Sequence, residues 1–222
     1  MPATQTGDIT GLLIVVLAIS IIPFVAMVVT SYMKIVVVLG LLRNALGVQQ
    51  VPPNMVLNGI AIIVSVYIMA PIAFTAAGAM QGSGAANTSG STVTQTVTQG
   101  IAAAREPFRN FLKAHAQPRE RQFFLRSASA IWPKEQAMAL KDTDIIVLAP
   151  AFTLTELTDA FKIGFLLYIA FIVVDLIIAN VLMAMGLSQV QPTSVAIPFK
   201  LLLFVAMDGW STLIHGLILG YR

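Results

Sequence analysis

Four apolar runs, each long enough to cross a bilayer as a helix, constrain this chain more than any other feature. They cover residues 11–42, 55–80, 163–185 and 195–219. Each reaches the roughly 20 residues that span about 30 Å of hydrocarbon. A helix satisfies its own backbone polar groups, which lipid cannot do. The runs therefore read as helices, although many of their residues are β-branched. Composition agrees: 57% of the 222 residues are hydrophobic and 10% are charged, against about 25% charged in soluble domains. The expected fold is an all-α membrane-protein class.

Charge inside such runs costs roughly 2.5–3.5 kcal/mol per residue at a helix centre. Lys34 interrupts the first run, Asp175 the third, and Lys200 and Asp208 the fourth, with Lys162 just before the third. These are too many charges for lipid-facing helices, and a protein-lined environment accommodates them better. Lys200 and Asp208 are eight residues apart, near one helix face but about two turns distant. The expected partner of Lys200 is thus Asp175 or Asp208, within the hairpin or from a neighbouring copy, and not Asp208 along one helix.

Prolines punctuate the runs. Pro23 and Pro71 predict kinks, and the length of the first run predicts a break near residues 23–30 or an extension beyond the membrane. Pro198 is expected in the first turn of the fourth, where proline is tolerated. Short connections at 43–54 (Gly47, Pro52, Pro53) and 186–194 (Gly186, Pro192) predict antiparallel hairpins. Asn54 is a candidate helix cap. Thr153 to Glu156 has capping-box spacing and is expected to open the helix carrying Phe161. Gly216 and Gly220 have the spacing of close helix packing, a weak signal. The predicted organisation is an N-terminal apolar hairpin over 1–80, a Gly/Ser/Thr/Ala linker over 81–100, a polar, mostly helical middle over 101–160 and a C-terminal apolar hairpin over 161–222.

Within the middle, Phe108, Phe111 and Leu112 share a helix face, with Arg105, Arg109 and Lys113 around it. Pro118 ends this helix and a second follows with Phe123, Phe124 and Leu125. Eight of the thirteen basic residues lie between Arg105 and Lys141. A solvated amphipathic helix pair is the favoured reading, over a lipid-headgroup or substrate-binding patch. Lys34 and Arg43 beside the first short loop put that loop in the cytoplasm, and the N-terminus and middle region outside. The first ten residues hold no Lys or Arg, so the first run reads as a retained segment and not a signal peptide.

Several chemistries are excluded. The net charge of +3 does not indicate nucleic acid, because the basic residues do not interleave with base-stacking aromatics. Cysteine is absent, which rules out disulfides and thiolate metal sites. No phosphate loop, zinc-binding helix or nucleophile elbow occurs. His115 and His215 have no ligand-spaced companions and read as structural. The chain is expected to be no enzyme and to bind no cofactor.

Dense motifs remain. Thr30 to Leu39 (TSYMKIVVVL) leads into Leu42 to Asn54 (LRNALGVQQVPPN), with Lys34, Arg43, Asn44, Gly47, Pro52 and Pro53. Leu148 to Phe152 (LAPAF, with Pro150 and Phe152) precedes Glu156 to Phe165 (ELTDAFKIGF, with Glu156, Phe161 and Gly164). Then come Asp175 to Met185 (DLIIANVLMAM, with Asn180), and finally Pro198, Lys200, Asp208, Gly209 and Trp210. In content and order these resemble the FliP/SctR (YscR/HrcR) family of type III secretion export-gate proteins, over nearly everything outside the linker and basic middle.

The resemblance implies a pore-forming subunit of the export apparatus in the bacterial inner membrane, conducting unfolded substrates. It implies a homo-oligomer of about five copies, with SctS-like and SctT-like gate subunits, SctU-like and SctV-like export components and membrane lipid. The hairpins would be raised towards the periplasm. Flagellar members commonly carry a cleavable signal sequence, so the injectisome branch is favoured. Many relatives carry a run of methionines after the glycine matching Gly186; here Leu187, Ser188 and Gln189 stand there. Met183, Met185 and Leu187 are the candidate pore constriction, against an ordinary turn. The competing function is a small ion- or proton-coupled transporter or channel with Asp175, Lys200 and Asp208 as a relay. The halves lack the repeat symmetry that many transporters show, and the family motifs argue against it.

Overall fold

The computed structural model describes residues 13, 16–17, 20–21, 23–82, 93–187 and 189–222. Among them all regular structure is helical, with no strand. In chain order the helices are α1 (Pro23–Val29), α2 (Tyr32–Leu46), α3 (Asn54–Gly82), α4 (Val93–His115), α5 (Pro118–Ile131), α6 (Lys134–Ala139), α7 (Ile145–Ala184), α8 (Pro192–Ala206) and α9 (Gly209–Leu219). The all-α membrane class is as expected: α3 and α7 are each long and apolar enough to cross a membrane.

The chain forms two compact units, residues 1–31 with 69–156 and residues 32–68 with 157–222. In the first, Leu112 and Ala116 of the α4 end pack with Val29, Leu148, Ala151 and Phe152. The predicted face of Phe108, Phe111 and Leu112 is the one that enters this core. Gln117 is extended and Pro118 opens α5, where its missing N–H costs nothing. The Gln117 amide donates to Thr155 Oγ1 at 3.1 Å, which ties the α4–α5 turn to α7. Pro133 then separates α5 from α6.

In the second unit α2 and the first part of α3 share one core with α7 and α9. Ile35, Val38 and Leu39 of α2 meet Leu57, Ala61 and Val64 of α3, together with Ala160 of α7 and Leu217 of α9. A second cluster joins Leu42, Ala45 and Leu46 to Phe171 and Phe204. A Cβ at Gly164 would overlap the Leu41 side chain, so glycine lets α7 approach α2 there.

Several expectations are corrected. The stretch 81–100 is helical at 81–82 and again from Val93, while 83–92 lies outside the described residues. The first ten residues, and with them the reading of the chain start, lie outside as well. Thr153 to Glu156 does not open a helix: α7 starts at Ile145, behind Asp144. The Thr153 and Thr155 hydroxyls donate back to Ala149 and Ala151 carbonyls within it. Asn54 is the first residue of α3, and the Pro53 carbonyl accepts from Val56 and Leu57; the Asn54 side chain binds Arg43 instead. Pro198 lies in the interior of α8, which begins at Pro192. The fourth run is not one helix but two, meeting at 61°. Asp208 forms the corner with φ 50, and a Cβ at the adjoining Gly209 would overlap the Phe204 ring. Lys200 is therefore on α8, and Asp208 is in the corner that follows it.

Candidate functional site

On α8 the buried residues are Ala196, Lys200 and Phe204, spaced by four and so aligned on one face. That face carries Lys200 inward, with its side chain 6% exposed. Its ammonium donates to Asp175 Oδ2 of α7 at 2.6 Å and to the Ala45 carbonyl of α2 at 3.1 Å. Ala45 is in the last turn of α2, where carbonyls have no intrahelical donor. A cation there satisfies an orphan acceptor and complements the helix dipole. Gly47 (φ +76) ends α2, and a Cβ on it would stand 3.2 Å from Ile197 of α8. One lysine thus joins three helices. Of the two partners foreseen for it, Asp175 is the one engaged.

Asp175 is less sheltered, at 39% side-chain exposure, while its Oδ1 is buried with no hydrogen-bond partner. A buried pair of this kind is weak evidence for stability but can specify one arrangement of helices. Phe204 extends the site: its ring meets Phe171 at 6.4 Å and Trp210 edge-on at 5.4 Å. Trp210 is a packing anchor of the α8–α9 corner. The Asp208 carboxylate is exposed and makes no side-chain cap bond to α9. Lys162 pairs with Asp159 at 2.9 Å, one turn away. Neither belongs to the Lys200 cluster.

The remaining motif residues divide by role. Lys34 is 7% exposed and its ammonium lies 4.4 Å from the Tyr221 ring centroid. Arg43 bridges the α2–α3 turn, donating to the Pro52 carbonyl at 3.3 Å and Asn54 Oδ1 at 2.5 Å. Phe152 is fully buried, its ring 5.5 Å from that of Phe111, and Glu156 is buried too. Pro150 is half-buried inside α7. Asn44, Asn180 and Phe161 are exposed. His115 Nδ1 sits 2.9 Å from the Phe111 carbonyl, a structural role, and His215 is exposed. The described residues contain no group of three or more His, Asp or Glu able to hold a metal.

The α7–α8 turn closes on Gly186 (φ +75), with Leu187 N–H donating to the Leu182 carbonyl and Gly186 N–H to that of Met183. This is a Schellman closure. Met183, Met185 and Leu187 are 64%, 58% and 44% exposed, so none is used in the protomer core. Ser188 lies outside the described residues. Between α7 and α8 runs an apolar groove of about 730 Å³, lined by Val174, Ile178, Val181, Val195, Phe199 and Leu202 among others.

Sequence reading did not find the Ala45 carbonyl, Tyr221 or Leu41. A backbone acceptor has no side-chain signature, and Tyr221 meets Lys34 only through folding. The one available signal was the four-residue spacing of Ala196, Lys200 and Phe204, which marks Lys200 as inward-facing.

Comparison with known proteins matches residues 14–217 to the FliP family. The chain is 64% identical over 219 residues to a hypersensitivity response secretion protein, HrcR, of Ralstonia nicotianae, covering 98% of this chain and all of that one. It is 46% identical to the Yop proteins translocation protein R of Yersinia pestis, over 98% of both chains. It is 37% identical to the virulence protein YscR of Salmonella typhimurium, over 90% of both. The match spans nearly the whole chain, and the chain belongs to the FliP family.

Proposed function

We propose that this protein is a pore-forming subunit of a type III secretion export apparatus of the injectisome kind. It sits in the bacterial inner membrane and conducts unfolded secretion substrates. Full-length similarity to proteins named for secretion and translocation supports the reading. The carrying structural observation is α7. Its 40 residues make a helix of about 60 Å, about twice the hydrocarbon thickness. Only 11% of its most apolar window is buried within the chain. Such a helix is built to be covered by neighbours and extends beyond a bilayer.

On this reading several copies, about five, assemble with SctS-like and SctT-like subunits and meet SctU-like and SctV-like components. The hairpins at 1–80 and 161–222 line the gate, and the middle at 101–160 faces the periplasm. Lys162, Asp175, Lys200 and Asp208 hold hairpins together within or between copies. Met183, Met185 and Leu187 supply the constriction. The bonding of Lys200 to Asp175 and Ala45 within one chain favours a structural tie between helices over a relay. The test is native mass measurement of the detergent-purified protein, co-produced with its partners, together with a secretion assay. A large multi-copy complex and loss of both complex and secretion in Lys200→Glu are expected. A small stable oligomer, or normal secretion in that strain, would overturn the proposal.

A further inference from the structure

Together α8 and α9 have the length and composition of one membrane span, broken by 61° at their corner. The backbone leaves its helical path there, with Asp208 in the left-handed region. Non-helical backbone at membrane depth is tolerated only inside protein or beside a water-filled cavity. Beyond the first turn of α8, every exposed residue of that helix is apolar. The surface of α9 differs. Thr212 and His215 are exposed and Ser211 is half-buried, and the three fall within about 100° of arc. Leu217, the buried residue of α9, lies on the opposite side. Asp208, assigned above to contact between hairpins, stands one turn before Thr212 at the head of this polar stripe.

Hydrogen bonding points the same way. The hydroxyls of Thr75, Thr153 and Thr155 donate to carbonyls one turn back in their own helices, and a hydroxyl bonded in this manner needs no water. Ser211 and Thr212 make no side-chain hydrogen bond among the described residues, and His215 has no partner there. Polar groups left open cost free energy away from water. In membrane-type segments such groups face the bundle interior or a water-filled cavity. A row of open donors and acceptors beside a broken helix is therefore a place for water.

We infer, resting on the export-gate reading above, that the Ser211, Thr212 and His215 face of α9 lines the water-filled passage of the assembled gate, where the exported polypeptide moves past it. Hydroxyls and an imidazole offer a hydrated chain exchangeable hydrogen bonds, weak enough for it to leave again. The chain holds no cysteine, so a single introduced cysteine reports one position. Thr212→Cys and His215→Cys are compared with Leu202→Cys and Val205→Cys, exposed positions of α8, in membranes of the secreting bacterium opened by sonication. The probe is a charged maleimide that does not cross bilayers. Labelling is expected at 212 and 215 and not at 202 and 205. It should be lost when a substrate fused to a tightly folded domain is stalled in the gate. A variant that abolishes secretion is replaced by Ser211→Cys on the same face. Labelling that a stalled substrate leaves unchanged would place the stripe in bulk water. An unlabelled stripe within an intact multi-copy complex would make it a contact between proteins. Either result, or labelling no greater than at the two α8 positions, overturns the inference and leaves the export-gate reading standing. A parent chain that forms no multi-copy complex overturns both.

Discussion

Neutralising Asp175 should damage the protein more than neutralising Lys200, although Lys200 is the deeper residue. In Asp175→Asn the Lys200 ammonium stays 6% exposed and keeps only the neutral Ala45 carbonyl and an amide. Removing one partner of a buried pair costs about 3–5 kcal/mol. The 39% exposure of Asp175 admits water, and discounting for that screening leaves about 2–3 kcal/mol. In Lys200→Met the buried charge itself is gone. Asp175 can hydrate, and the main loss is the donor to Ala45 O, about 1–2 kcal/mol. The double variant should be no worse than Lys200→Met alone, a coupling of about 2 kcal/mol. For a chain of this size each kcal/mol shifts Tm by about 2–4 °C. Asp175→Asn should therefore melt about 4–12 °C lower, and Lys200→Met about 2–8 °C lower. The assay is thermal unfolding in detergent followed by tryptophan fluorescence in a Trp132→Phe background. This leaves Trp210, which packs on Phe204 one turn from Lys200, as reporter. An Asp175→Asn protein that melts with the parent, or a double variant whose losses simply add, would refute the reasoning.

Other outcomes follow from single contacts. Gly209→Ala should lower Tm, because its Cβ would overlap the Phe204 ring and overpacking costs about 1–3 kcal/mol; an unchanged Trp210 emission would count against this. Gly186→Ala forces an L side chain into φ +75, at about 1–2 kcal/mol, and should loosen the α7–α8 turn, as read by faster backbone hydrogen exchange at Gly186 and Leu187. Tyr221→Leu removes the ring beside Lys34, a contact worth about 1–2 kcal/mol when desolvated. Amine labelling of Lys34 should rise in Tyr221→Leu and stay at the parent level in Tyr221→Phe.

The two short turns were legible because glycine and proline act locally. Gly47 and Gly186 both take positive φ, as turns between helices require. The amphipathic face of α4 was legible because helical periodicity survives folding unchanged. Helix ends inside apolar runs were not. The fourth run resumes its apolar character after Asp208, so its charge alone does not mark a helix end; the crowding of Phe204 against Gly209 and the left-handed backbone of Asp208 accompany the turn there. Likewise Thr153 and Thr155 match a cap by spacing, yet their hydroxyls bond within a helix already under way.

The sequence by itself determined the class: four apolar runs, internal charges and short turns allow only a helical, membrane-type protein, since lipid tolerates no unsatisfied backbone. It also determined that Lys200 needs an anion. Which anion, and which backbone carbonyl, only the tertiary structure decided. Asp175 and Asp208 are equivalent as carboxylates along the chain. The corner at Asp208 sends one into solvent, and the packing of α2, α7 and α8 brings the other to 2.6 Å. Partner choice in a charged cluster depends on where helices bend and meet, and that is set by contacts far apart in sequence.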